Sequence, residues 1–163
     1  MLPTAPPGFV IEGPKSGQGA VCRAILDALP DWFELEEANA HYVAEAEVLP
    51  CLVARRDDRA LGLLMLKTHT PYAAEIALLG VRPEVHRQGI GRALVLAAED
   101  QLRAAGVEYL QVKTLGPSHP DLGYAGTRAF YERLGFRPLE EIATIWDASN
   151  PCLIYVKALQ GPA

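Results

Sequence analysis

The sequence predicts an α/β domain built on one mixed central β-sheet flanked by helices on both faces. Three observations predict it. Short apolar runs of strand length alternate with stretches of helical apolar period. A glycine-bearing loop at residues 86–91 stands between an apolar run and a helix whose apolar residues recur every four positions. The chain has 163 residues, half of them apolar, which suits one domain with a sizeable core.

Residues 1–8 are rich in proline and read as a loose tail, leaving 9–163 as the domain. Phe9, Val10 and Ile11 form a short first strand, and 13–19 a loop. Over 20–29, Val21, Ile25 and Leu29 give one apolar helical face, and Pro30 follows its end. Residues 34–47 read as a second helix with an acidic exposed side: Glu34, Glu36, Glu37, Glu45 and Glu47. That side is either a solvated face or an acidic rim that attracts an amine. The apolar runs 51–56 and 60–67, separated by Arg-Asp-Asp-Arg, read as a hairpin. Within it Leu61 to Leu66 has the continuous apolarity of a strand covered on both faces. Residues 68–72 break the pattern, and 74–81 form another strand leading into the glycine loop. The next helix runs to about Ala105 with Leu94, Ala98, Leu102 and Ala105 as its buried stripe, and Gly106 closes it. Residues 108–114 alternate as a strand, 115–123 form a long loop, and 124–134 a helix closed by Gly135. Strands from Phe136 through Trp146 and over 152–159 complete the sheet, joined by a turn at 147–151.

The net charge of −5 argues against nucleic acid or an anionic membrane as partner and fits, weakly, a cationic substrate. Cys22, Cys51 and Cys152 are widely spaced, without metal-ligand spacing, as expected of reduced thiols in the cytoplasm. No secretory signal is visible at the N-terminus, and no apolar run approaches membrane-spanning length.

The chemistry concentrates in His86-Arg87-Gln88-Gly89-Ile90-Gly91-Arg92, with Arg82 just ahead of it. A helix start has free backbone N–H groups and partial positive charge, and glycine lets an anion approach the backbone. The physical reading is a phosphate or pyrophosphate cradle, with a glycine turn capping an ordinary helix as the plain alternative. It is not a P-loop, since no G-x-x-x-x-G-K-[ST] is present, and Leu94 stands where a dinucleotide fingerprint needs a third small residue.

The segment resembles the pyrophosphate loop of the GNAT (GCN5-related N-acetyltransferase) family, [R/Q]-x-x-G-x-[G/A], departing from it at His86. A second GNAT signature, x-x-[F/L]-Y-x-x-x-G-F, is matched by Phe130-Tyr131-Glu132-Arg133-Leu134-Gly135-Phe136, at the family's usual distance. The resemblance covers roughly residues 20–158 and extends to an uncharacterised bacterial branch. It implies a single-domain GNAT fold and acetyl-CoA as co-substrate, with no metal. It places Arg87, Gln88, Gly89, Ile90, Gly91 and Arg92 on the pyrophosphate and the backbone of Leu79 and Val81 on the pantetheine arm. Tyr124 and Thr127 fall at the cofactor as well, although many members carry asparagine where Tyr124 stands. Tyr131 would lie near the thioester sulfur and donate a proton or hydrogen bond to the departing thiolate, unless it is simply a core aromatic beside Phe130.

An alkyl amine with a pKa of about 10.4 is neutral only about once in 10³ molecules near pH 7, so freeing its lone pair costs roughly 4 kcal/mol. Glu75, on the strand leading into the loop, is the best candidate base, as some GNAT enzymes use a glutamate at the matching place. A strand-edge ion pair is its structural alternative. His119 ranks below it as a base, and His41 and His69 lower still. Trp32, Tyr42, Glu75 and Trp146 are the candidate acceptor-site residues, with Tyr72 as a further aromatic. The implied activity is acetyl transfer from acetyl-CoA to a primary amine by direct attack, the acceptor a small cationic metabolite. The alternatives are a non-catalytic acyl-CoA binding module and a protein-lysine or N-terminal acetyltransferase. The reading allows a homodimer.

Overall fold

A computed structural model describes residues 8–119 and 123–159. Among them are seven strands, β1 (Val10–Lys15), β2 (Cys51–Arg56), β3 (Arg59–Thr70), β4 (Ala73–Val81), β5 (Tyr109–Leu115), β6 (Arg137–Asp147) and β7 (Asn150–Ala158). Four α-helices accompany them: α1 (Gly19–Asp27), α2 (Glu36–Val48), α3 (Ile90–Ala104) and α4 (Gly123–Arg133). The sheet order is β1-β2-β3-β4-β5-β7-β6. It is mixed: β4 and β5 run parallel, while β1–β2, β2–β3, β5–β7 and β6–β7 are antiparallel. A parallel pair needs a crossover, which α3 supplies between β4 and β5. Most of the expected tail, residues 1–7, lies outside the described residues. Among the described residues no helix is long and apolar enough to cross a membrane.

The chain divides into two compact units. The first holds the residues up to Lys67 together with Leu78–Asp100. The hairpin here turns tightly because Asp57 adopts a φ of 53°, a left-handed conformation that aspartate tolerates better than most residues. Leu61, Leu63, Leu64, Met65 and Leu66 are all buried, as their unbroken apolarity predicts. Helix α1 buries Cys22, Ile25 and Leu26, with Leu29 just beyond its end. Its first N–H groups lack intrahelical acceptors, and the Glu47 carboxylate of α2 accepts from Gly19 N at 2.9 Å. Other acidic side chains of α2 are also paired: Glu36 bridges Arg23 at 3.0 Å and Glu45 lies 2.8 Å from His41. In α3 the buried stripe is Ile90, Leu94, Val95, Ala98 and Leu102; Ala105 lies past the helix end and is exposed, against expectation.

The second unit holds Thr68–Ala77 and the residues from Gln101 on. Strand β3 runs to Thr70 rather than stopping at Lys67, because the turn falls later than the apolar pattern does. The Thr70 hydroxyl accepts from the N–H groups of Tyr72 and Ala73, each at 3.1 Å, and so closes that turn. Strand β5 pairs along its whole length with β7, from Tyr109↔Ala158 to Leu115↔Cys152. Helix α4 is tied to β5 by Arg128 Nη1, which donates to the Leu115 carbonyl at 2.8 Å. Strand β6 is one exposed edge strand, and its turn into β7 is tighter than expected because Asp147 Oδ1 accepts from Ser149 N and Asn150 N at 2.9 and 3.0 Å.

Two glycines set the packing of the first unit. A Cβ on Gly80 would lie 2.9 Å from Ile25 Cγ2 and 3.2 Å from Leu29 Cδ1. A Cβ on Gly62 would meet the Gly80 carbonyl oxygen at 3.0 Å. The Gly80→Ala variant should therefore lose about 1–3 kcal/mol through overpacking. That corresponds to a melting temperature lower by roughly 3–10 °C, read by circular dichroism. An unchanged melting temperature would show that α1 is not seated against β4 at this point.

Candidate active site

Strand β4 ends at Val81, and the chain enters a short 3₁₀ turn, Pro83–Val85, before α3. Three contacts fix this entry. Arg82 N donates to the Leu61 carbonyl at 2.8 Å, Arg82 Nε to the Ala60 carbonyl at 2.7 Å, and His86 Nε2 lies 2.7 Å from the Val81 carbonyl oxygen. The guanidinium of Arg82 is thus a brace for the strand end. Within the loop Arg87 has φ 64° and Gly89 φ 82°. Residues of alternating hand turn successive backbone N–H groups towards one concavity, which is an anion nest. Space does not dictate the glycine at 89, since a Cβ there would meet nothing within 4 Å; the positive φ does. Ala93 N donates to the Gly89 carbonyl at 3.0 Å, the first bond of α3, so the N–H groups of Ile90, Gly91 and Arg92 have no intrahelical acceptor. Arg87, Gln88 and Arg92 are exposed. Gln88 Oε1 accepts from Arg56 Nη2 at 3.3 Å. Glu84 is held below the usual carboxylate range, first by a hydrogen bond from its own backbone N–H and further by Arg59 and Arg82. The donor set, with backbone N–H groups, a helix start and arginines, fits a pyrophosphate.

Leu79 and Val81 are half-buried on β4. Among the described residues the register of β4 to β5 runs from Ala73↔Tyr109 to Ile76↔Val112, so both lie past its last pair.

In the second unit Glu75 is buried, with 10% of its side chain exposed. Its Oε1 lies 2.6 Å from His69 Nε2, 3.2 Å from Gln111 Nε2 and 3.5 Å from Lys113 Nζ. Glu75 and Gln111 are register partners, and Lys113 is two residues on, on the same face of β5. The turn at Thr70 returns the chain so that His69, at the end of β3, meets Glu75. Sequence reasoning ranked His69 low and did not single out Gln111 or Lys113. The available signal was the polar alternation Gln111, Lys113 between the apolar Leu110 and Val112.

Tyr131, on α4, has 5% exposure and is boxed in by rings. Phe130 and Phe136 stand edge-on at 5.1 and 5.4 Å, and Tyr155 is tilted at 6.3 Å. Burial pushes its phenol well above the usual tyrosine range, so the proton stays on the oxygen. Tyr124 and Thr127, on the same helix, are half-buried. Of the remaining aromatics, Tyr42 packs edge-on against Phe33 at 6.1 Å in the first unit, where Trp32 is 36% exposed. Trp146 on β6 is 46% exposed and Tyr72 61%. An open groove of about 540 Å³ beside the hairpin is lined by Arg56, Asp57, Asp58, Arg59, Leu61 and Val85, with charges of both signs.

Residues 21–136 match the model of the Acetyltransferase (GNAT) family. The chain belongs to that family of acetyltransferases. Over 83 residues, 51% of this chain, it is 37% identical to a mycothiol acetyltransferase of Beutenbergia cavernae, and it spans about a quarter (26%) of that relative's length. Its fold matches an aminoglycoside 6′-N-acetyltransferase complexed with coenzyme A at a TM-score of 0.75 and 16% identity, covering 94% of this chain and 99% of the other. It also matches the ribosomal-protein-S18-alanine N-acetyltransferase of Escherichia coli at 0.71 and 16% identity, covering 95% and 96%.

The three thiols are poorly disposed to act as nucleophiles. Cys22, Cys51 and Cys152 are free and buried. Burial pushes Cys22 up to about 11 and Cys51 up to about 12, and raises Cys152 as well. A raised pKa keeps each protonated and unreactive at pH 8. Ellman's reagent should therefore label less than one thiol per native chain within minutes, and all three in guanidinium chloride. Rapid labelling of the native protein would mark a reactive cysteine.

Proposed function

We propose that this protein transfers an acetyl group from acetyl-CoA to a primary amine by direct attack, with a small cationic metabolite as acceptor. The observation that carries the reading is the loop at the start of α3. Its left-handed Arg87 and Gly89, and the N–H groups of Ile90, Gly91 and Arg92 that have no intrahelical acceptor, would form an anion nest for the pyrophosphate, in a segment that resembles the family's loop pattern. The backbone of Leu79 and Val81 would bind the pantetheine arm much as an added strand does. Glu75 brings a buried carboxylate to the machinery that would free the amine's lone pair, and the overall charge of −5 favours a cationic acceptor. Two of the similar proteins are named for small molecules, a mycothiol acetyltransferase and an aminoglycoside 6′-N-acetyltransferase, which lends weight to a small acceptor. The protein-directed alternative is represented by the enzyme named for ribosomal protein S18.

Tyr131 acts at the leaving group. A desolvated phenol that holds its proton this firmly is a hydrogen-bond donor to a developing thiolate and a poor base. No thiol of the chain is needed, so no acetyl-enzyme forms, and attack by the amine is direct. The three reduced thiols are consistent with a cytoplasmic setting.

The test is release of the CoA thiol from acetyl-CoA in the presence of a panel of primary amines. The wild type should turn over at least one, and Tyr131→Phe should lose about 10–100-fold in kcat with unchanged acetyl-CoA affinity. Turnover with no small amine, together with acetylation of one protein in a lysate, would move the acceptor to a protein. Acetyl-CoA binding without turnover on any acceptor would leave a binding module.

A further inference from the structure

One oxygen of the Glu75 carboxylate is already engaged by three side chains. That oxygen, Oε1, faces the His69 ring, the Gln111 amide and the Lys113 ammonium, at 2.6, 3.2 and 3.5 Å. Only 10% of the Glu75 side chain is exposed, against 35% for His69. A carboxylate only accepts, so a neutral imidazole beside it places its hydrogen on the facing nitrogen, Nε2. The lone pair is then on Nδ1, and among the described residues nothing hydrogen-bonds to Nδ1. Gln111 and Lys113 hold the carboxylate from β5, so it keeps the ring in one tautomer and one orientation. This is the division of labour in which a buried acid positions an imidazole and the imidazole meets the substrate.

We infer that His69 takes the proton from the acceptor's ammonium and that Glu75 is its positioning residue, a reading that rests on the amine acetylation proposed above. The step balances. The ammonium gives one proton to Nδ1, leaving an imidazolium beside the Glu75 carboxylate and a free lone pair on the amine. The lone pair attacks the thioester carbonyl carbon, a C–N bond forms and the C–S bond breaks. The amine's second proton accompanies the thiolate away as a thiol, and the imidazolium returns its proton to solvent. The other ionisable groups in the cluster are Lys113 on β5 and the Cys152 thiol on β7, which feels the charges of both Lys113 and Glu75.

The experiment compares the full-length wild type, His69→Gln, His69→Ala and Glu75→Gln, each checked by thermal melt, with the best amine of the panel. His69→Gln should lose at least about 100-fold in kcat with the acetyl-CoA affinity unchanged, and should lose the acid limb of the pH–rate profile. Added imidazole should restore part of the rate to His69→Ala. Glu75→Gln should lose about 10-fold or more while keeping an acid limb, because the imidazole is still present. Long-range proton–nitrogen NMR supplies a readout independent of turnover: His69 carries its hydrogen on Nε2 in the wild type and loses that preference in Glu75→Gln. If Glu75→Gln cannot be folded, the wild-type tautomer and the His69 variants still decide. A His69→Gln enzyme within about threefold of wild type that retains the acid limb would overturn the inference and return the base to Glu75. A hydrogen on Nδ1 would overturn it too. No turnover by the wild type with any primary amine would instead overturn the acetylation reading, and this inference with it.

Discussion

The absence of a side chain at position 80 holds the donor side of this molecule together. Ile25 and Leu29 close over the β4 backbone at Gly80, with room for no further carbon, and Gly62 on β3 admits the Gly80 carbonyl in the same way. Contacts this tight fix the height at which β4 ends. From that end the main-chain and guanidinium bonds of Arg82 to Leu61 and Ala60 start the loop in one direction. The loop at Arg87 and Gly89 depends on that start, because a left-handed arginine is tolerated only where the surrounding chain leaves no cheaper path, whereas glycine adopts that hand freely. Packing of two glycines thus sets the position of the loop a few residues away.

Strand β4 carries two kinds of chemistry along one backbone. Its beginning, paired with β5 over Ala73–Ile76, holds a buried carboxylate in a polar cluster. Its end leads into a loop whose positive potential comes from backbone dipoles and arginines.

Much of this was legible in the sequence, because local chemistry dictates it. The order of elements follows from apolar period, and Gly106 and Gly135 take positive φ where a helix or its last turn ends. The loop between β4 and α3 was legible because glycines stand between an apolar run and a helical period. Where the reading failed, the deciding interaction was non-local or came from side-chain hydrogen bonding. Residues 68–70 look polar and irregular, yet the strand continues through them, three residues beyond the apolar pattern, to a turn closed by the Thr70 hydroxyl. The α2 carboxylates read as one acidic surface, but Glu47 caps α1 and Glu36 is held by Arg23, partners that period analysis does not reveal. His69 is an ordinary polar residue in the sequence, and its meaning comes from a fold that sets it 2.6 Å from Glu75.

The central claim is that the residues at the start of α3 bind the pyrophosphate of acetyl-CoA. The most direct measurement is a calorimetric titration of acetyl-CoA into the wild type and into Gly91→Glu, which sets bulk and negative charge in the nest, with a thermal melt to confirm that the variant is folded. Micromolar binding by the wild type that disappears in the folded variant is the result expected. Equal binding by both, or none by the wild type, would contradict the claim and leave the glycine loop as a helix cap.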